Sequence, residues 1–251
     1  MLTEEHFELF KDFRIKAMGD KLREMVDDAS YDSYTFEEKM EMLLDAESSA
    51  RRTRKIAKLV KAARFKDPSA CVEEIVYLPD RTLAKDRIAR YAECKWVENC
   101  EVVAVISKTG CGKSYLCQAL GNAACRKLVD VRYARLAGIC EELNRARAEA
   151  DGSYFEVMDD YKTVPLLIID DFMTTPISTQ NAVDLFEIME ARENLCATLI
   201  ASQLEPNEWY LRIEGELMAD SILNRIATGA RYIDLEGPNM REYFAKKKQA
   251  D

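Results

Sequence analysis

A single histidine, His6, stands in this chain of 251 residues. Metal sites and catalytic triads built on imidazole therefore have almost nothing to work with. Glycine (9), proline (6) and tryptophan (2) are sparse, and neither an internal repeat nor a low-complexity segment interrupts the chain. No window approaches the roughly 18 uninterrupted apolar residues of a membrane span; the longest apolar runs are VVAVI and PLLII. The opening MLTEEHFELF is acidic and has neither the basic nor the apolar region of a secretory leader. Eight cysteines form no C-x-x-C pair, and several fall within apolar patterns, as expected of reduced, buried thiols in a cytoplasmic protein. A basic surplus is also missing. With 45 acidic against 36 basic side chains the net charge is −9, which argues against bulk attraction of the whole molecule to nucleic acid.

What the chain does have is an ordinary globular composition, 48% apolar and 32% charged, at a length that suits one α/β domain with a small satellite. The division falls near Pro68. Residues 1–67 read as helical, from Glu4 to Asp28, from Thr35 to Ala46, and then a basic helix. Thr35 and Glu38 have the spacing of a capping box. The charge is very unevenly placed, with fourteen acidic and six basic side chains in residues 1–50, then eight basic and no acidic ones in residues 51–66. Ile56, Leu59, Val60 and Ala63 repeat as a helix burying one face requires. Arg51, Arg54, Lys55, Lys58 and Lys61 then project from the other side. They are either a solvated face or, in the absence of compensating glutamate, a contact for DNA phosphates.

Residues 68–251 alternate apolar strands with helices, at Val102–Ile106, Val131–Ala134, Leu166–Asp170, Thr198–Ala201 and weakly Tyr232–Leu235. That alternation predicts parallel strands with helices on both faces. The first strand breaks into Ser107-Lys108-Thr109-Gly110-Cys111-Gly112-Lys113-Ser114-Tyr115. A buried strand, a glycine-punctuated loop and a helix start are what triphosphate binding needs, because backbone N–H groups and the positive helix end then face one point. In this reading Lys113 reaches the β- and γ-phosphates of ATP and the Ser114 hydroxyl sits on Mg²⁺. Ser107 stands where the phosphate-loop pattern has its first glycine.

A second motif, LLIIDDF at Leu166–Phe172, places two carboxylates at the C-terminal end of a strand buried on both sides. Asp170 is expected to hold the Mg²⁺ shell and Asp171 to orient the attacking water. Ala197–Gln203 ends another buried strand in small polar residues. If that strand lies between the other two, Ser202 or Gln203 points at the γ-phosphate. On Ala219–Ala227 the buried stripe Ile222, Leu223 and Ile226 leaves Arg225 facing outward. It is either a solubilising charge or an arginine finger for a neighbouring subunit's ATP site.

Beyond these motifs, YDSYTFEEKMEMLLDAE, the basic helix, DPSACVEEIVY, CKWV, ASQLEPNEWY, ADSILNRI and LEGPNMR carry a resemblance over nearly the whole chain. It resembles the IstB family, the AAA+ helper ATPases of insertion-sequence transposition, related to DnaC helicase loaders and DnaA initiators. The resemblance implies an AAA+ αβα core with five parallel strands in the order 5-1-4-3-2, behind a helical N-terminal domain that binds DNA or mediates oligomerisation. It makes Lys113 and Ser114 the Walker A residues, Asp170 and Asp171 the Walker B pair, Gln203 the first sensor and Arg225 the arginine finger. It implies double-stranded DNA, a cognate transposase and further copies of the chain as partners. Ser107 departs from the family's glycine, and Pro238-Asn239 replaces the usual Glu-Ser before Met240-Arg241, which leaves the role of Arg241 open. Two alternatives stay beside this reading: a helicase loader on single-stranded DNA, and a nucleotide-gated scaffold that does not hydrolyse ATP. A phosphate-loop kinase for small molecules fits less well, because a basic helical domain and an outward arginine serve it poorly.

Overall fold

The computed structural model describes residues 3–227 and 229–250. They form two compact units, one running to Lys58 and one from Leu59. The first unit holds α1 (Glu4–Asp12), α2 (Lys16–Asp27) and most of α3 (Phe36–Ala62), which passes on into the second unit.

Two expectations for this region need correction. The helix expected over Glu4–Asp28 is broken, because Arg14 takes a left-handed φ of 59° and the Ile15 N–H bonds back to the Phe10 carbonyl at 2.8 Å. The reversal lays Phe10 against Gly19, where a Cβ would come within 2.7 Å of it. Conversely, the break expected after Ala46 does not exist, and α3 runs unbroken for 27 residues. Glu47 makes the continuity useful. Although only 6% exposed, it accepts the Ala17 and Met18 N–H groups at 3.0 and 3.4 Å and so satisfies free donors at the start of α2. The Thr35–Glu38 capping box is present, with reciprocal bonds of 2.7 and 3.3 Å.

In the second unit α4 (Lys85–Ala92) and α5 (Lys95–Glu98) precede β1 (Val102–Ile106). The chain continues through α6 (Lys113–Arg126), β2 (Val131–Arg135), α7 (Leu136–Glu149), α8 (Ser153–Thr163) and β3 (Leu166–Phe172). It closes with α9 (Thr179–Arg192), β4 (Ala197–Ser202), α10 (Pro206–Trp209), α11 (Glu216–Ala227), β5 (Arg231–Asp234) and α12 (Met240–Ala250). The five strands pair in parallel in the order β2-β3-β4-β1-β5. That is the order the resemblance implies, read from the other edge.

The β-strand period of two sorts the strand residues between two cores. Val103, Val105, Leu166 and Ile168 pack with Leu116 and Leu120 of α6 and with Leu59, Ala63 and Phe65. Ala104, Ile106, Leu167 and Ile169 face the opposite way, toward α7, α8, α9 and α11. Continuous apolar strands are thus explained by helices on both faces. Among the described residues, no helix is long and apolar enough to cross a membrane.

Candidate functional site

The sheet order sets β1 beside β4 and β4 beside β3. Their C-terminal ends are therefore neighbours, and three motifs far apart in sequence meet at one edge of the sheet. The loop between β1 and α6 bends at Gly110 (φ +89°) and Gly112 (φ +96°), angles that disfavour any side chain. Ser107 needs no such freedom. It keeps a negative φ, its N–H continues the strand pairing to the Ser202 carbonyl at 3.1 Å, and its hydroxyl donates to the Lys108 carbonyl at 2.9 Å. A serine is therefore accommodated without backbone strain where the motif has glycine.

Lys113 opens α6 and is 6% exposed, yet its ammonium has no hydrogen bond or ion pair among the described residues. The Ser114 hydroxyl is likewise without a partner among the described residues, whereas the Tyr115 hydroxyl lies 3.4 Å from both the N–H and the carbonyl of Cys71. Lys108 and Thr109 are exposed, and the Thr109 hydroxyl donates to the Gln203 side-chain carbonyl. Of the two residues considered at the end of β4, Gln203 thus meets the loop. Ser202 is fully buried and structural, donating to the Phe172 carbonyl at 2.9 Å and accepting from the Trp209 indole N–H at 2.9 Å.

Strand β3 carries a register shift against β4 between Ile169 and Phe172, and Asp171 has a φ of 51°. Such a bulge turns successive side chains in new directions. Asp170 is 2% exposed; its Oδ1 accepts the Asp171 N–H at 2.8 Å and its Oδ2 the Tyr133 hydroxyl at 2.6 Å. Burial, reinforced by that carboxylate, raises the Tyr133 hydroxyl far above its ordinary range, so it remains a proton donor. Asp171 is more exposed and has Arg135 3.7 Å away. A carboxylate and a hydroxyl are the hard oxygen donors that Mg²⁺ takes, so Asp170 and Ser114 fit that ion chemically.

A cavity of about 410 Å³ extends from Gly110, Gly112, Lys113 and Ser114. Its remaining walls come from segments that the motif reading left out. Ile75 and Val76 on one side and Met240 and Phe244 on the other are apolar, while Arg81 and Arg241 add two cations. Arg81 joins these walls, donating to the carbonyls of Val76 and Cys111, the latter at 2.8 Å, while its side chain fills the space beside Gly237. Cys111 itself is buried, with its thiol 3.4 Å from the Gly237 carbonyl. The Met240 N–H binds the Gly110 carbonyl at 2.9 Å, and Asn239 lies directly against Gly110. No periodicity announces these contacts, because they are made by irregular chain on both sides of the core.

The remaining candidates lie elsewhere. Arg51, Arg54, Lys55, Lys58 and Lys61 are all exposed on α3. Compensating glutamate is nevertheless present, one turn before the basic run: Glu47 takes Arg51 at 2.8 Å and Arg54 at 3.1 Å. Lys55, Lys58 and Lys61 have no ion pair among the described residues. Arg225 is only 25% exposed at its side chain, a correction to its outward placement. It reaches Glu190 at 3.0 Å and Glu193 at 3.6 Å and lies over the Phe186 ring at 4.4 Å, because α9 packs against α11 along that face. It borders a cleft with Val102 and Cys196, at the edge of the sheet where the strands begin, away from its own phosphate loop.

Residues 8–250 match the family described as IstB-like ATP binding protein. Two insertion sequence ATP-binding proteins of Sinorhizobium fredii are 30% identical, one over 96% of this chain and 96% of its own length, the other over 98% and 100%. A third, from an insertion sequence of Pseudomonas fluorescens, is 29% identical over 81% of this chain and 87% of its own. Among solved structures, DnaI superposes with a TM-score of 0.56 at 24% identity, covering 68% of this chain and 90% of that one. The DnaC helicase loader gives 0.57 at 14% identity, over 66% of this chain and 97% of that one. An AMPPCP-bound DnaA from Aquifex aeolicus gives 0.58 at 21%, over 73% and 55%. These likenesses identify the core as the AAA+ fold.

Proposed function

This chain belongs to the family of IstB-like ATP binding proteins, and we propose that it is a Mg²⁺-dependent ATPase whose nucleotide state governs sequence-tolerant binding of double-stranded DNA on behalf of a cognate transposase. The observation that carries the nucleotide reading is Lys113 at the start of α6, which lines the cavity and whose ammonium has no hydrogen bond or ion pair among the described residues. A phosphate chain supplies the missing anion, and the N–H groups of the glycine loop and helix start add to its binding. Mg²⁺, when bound, neutralises phosphate charge. Ser114 and Asp170 would hold it, Asp171 orients water, and Gln203 reports on the γ-phosphate through the loop at Thr109. The apolar walls at Ile75, Val76, Met240 and Phe244 suit the base and sugar.

Transposase assistance rests on the family alone. Support for the DNA reading comes from Lys55, Lys58 and Lys61, which have no ion pair with a carboxylate among the described residues. Arg225 serves as a finger toward an adjacent subunit in a homo-oligomer, since it stands at the edge of the sheet away from its own loop. In the free chain Glu190 and Glu193 occupy it, so assembly has to replace those carboxylates with the neighbour's phosphates.

Titration of a fluorescent ATP analogue against wild type and Lys113→Ala tests the nucleotide site. Affinity is expected to fall at least tenfold in the variant, and equal affinities would end the assignment. Asp171→Asn is expected to bind nucleotide and lose turnover. Ser107→Gly leaves binding unchanged, as the unstrained backbone at Ser107 requires.

A further inference from the structure

Both oxygens of the Asp170 carboxylate are engaged within the chain. Oδ1 takes the N–H of the next residue, and Oδ2 takes a phenol from a different strand. The second contact is unusual in its construction. Tyr133 lies on β2, the edge strand, in register with Ile168, two residues before Asp170 on the same strand. Alternation places Tyr133, Ile168 and Asp170 on the sheet face that carries α6, the face from which Lys113 and Ser114 start.

An edge strand has N–H groups without a ladder partner. At Tyr133 that group is taken by the Ala63 carbonyl at 2.8 Å, from the chain just beyond α3. The Tyr133 ring packs on Phe65 from the same segment, with centroids 6.2 Å apart. Main chain and ring are therefore both fixed from outside the sheet, and the residue is 7% exposed. A hydroxyl held this way has one placement, against the carboxylate.

We propose that Tyr133 is a positioning residue of the metal site, orienting the Asp170 carboxylate for a divalent cation through its 2.6 Å hydrogen bond. The proposal rests on the reading of Ser114 and Asp170 as the Mg²⁺ residues. Partners that hold a metal-ligating carboxylate from behind are typically worth about ten- to a hundredfold in metal affinity. Tyr133 need not touch nucleotide or ion to have this effect.

The Tyr133→Phe variant of the full chain removes only the hydroxyl and keeps the ring on Phe65. Binding of a fluorescent ATP analogue is measured in EDTA and across a Mg²⁺ series, with direct counting of bound Mn²⁺ by electron paramagnetic resonance alongside. Affinity in EDTA and melting temperature are expected to match wild type, while half-saturating Mg²⁺ and Mn²⁺ rise about tenfold. Tyr133→Leu, which also loses the packing, is expected to shift both the metal requirement and the melting temperature. Equal metal requirements in wild type and Tyr133→Phe would overturn the proposal, as would a loss of nucleotide affinity that is the same with and without metal. Absence of any metal effect in wild type would remove the reading of Ser114 and Asp170 together with it.

Discussion

Replacing Gly110 by alanine tests whether the phosphate loop and the chain before α12 form one unit. Two costs arise. The φ of +89° is strained for any L side chain, by about 1–2 kcal/mol. The new Cβ would also lie 2.5 Å from the Asn239 side-chain oxygen, so Asn239 has to swing away. It then gives up its bonds to the Arg241 N–H and to Glu242, both 3.0 Å, together worth about 2 kcal/mol. The sum, about 3–4 kcal/mol, is lost from the stability of the folded chain, because both the φ and the contact belong to the ligand-free structure. The two costs separate in a double-mutant cycle. With Asn239→Gly already in place the clash is gone, and Gly110→Ala is expected to cost only the strain, about 1–2 kcal/mol. The assay is denaturant unfolding of all four proteins, followed by circular dichroism. If Gly110→Ala costs the same in both backgrounds, to within about 0.5 kcal/mol, the contact with Asn239 carries no energy and the coupling is refuted.

Changing Lys55, Lys58 and Lys61 to glutamate is expected to abolish duplex binding, read by fluorescence anisotropy, and to leave nucleotide affinity intact. The salt slope of wild type should reflect about 0.9 per phosphate neutralised, and Arg51→Ala with Arg54→Ala should change it less, since Glu47 already engages both arginines. Mixing inactive Arg225→Ala with inactive Lys113→Ala should restore part of the ATPase rate under assembling conditions, because some interfaces then hold an intact loop and an intact finger; no recovery would return Arg225 to a role within its own chain. The Arg51 guanidinium holds the Glu47 carboxyl below its ordinary value of 4.5, so this residue contributes stability above that pH and loses it as pH falls through the lowered value. Glu47→Gln should therefore lower stability at pH 7 by about 1–2 kcal/mol, and the gap from wild type should narrow as pH falls below 4.5 and through the lowered value, in denaturation followed by circular dichroism.

Local pattern was enough for everything that short-range chemistry dictates. The phosphate loop, the paired aspartates and the buried strands were legible because each is a run whose residue types have few other uses. A four-residue apolar strand ending in Asp170-Asp171 needs helices on both faces, and a glycine loop before Lys113-Ser114 needs a strand before it and a helix after it. The Thr35–Glu38 cap was legible for the same reason, its two partners being three residues apart. The strand order came from the resemblance alone, since no local pattern says which strands are neighbours. What depended on chain returning from a distance could not be read. Arg14 breaks a helix that its neighbours favour because α1 folds back on α2. Glu47 joins α2 to the basic run across about thirty residues, an apparent excess of charge that folding partly neutralises. Arg81, Asn239 and Met240 close the cavity, Tyr133 reaches Asp170 from another strand, and Glu190 claims Arg225, all through contacts between elements far apart in sequence. Periodicity records which face of a segment is buried. Which partner buries it, and which polar groups then meet, is decided only when the segments pack.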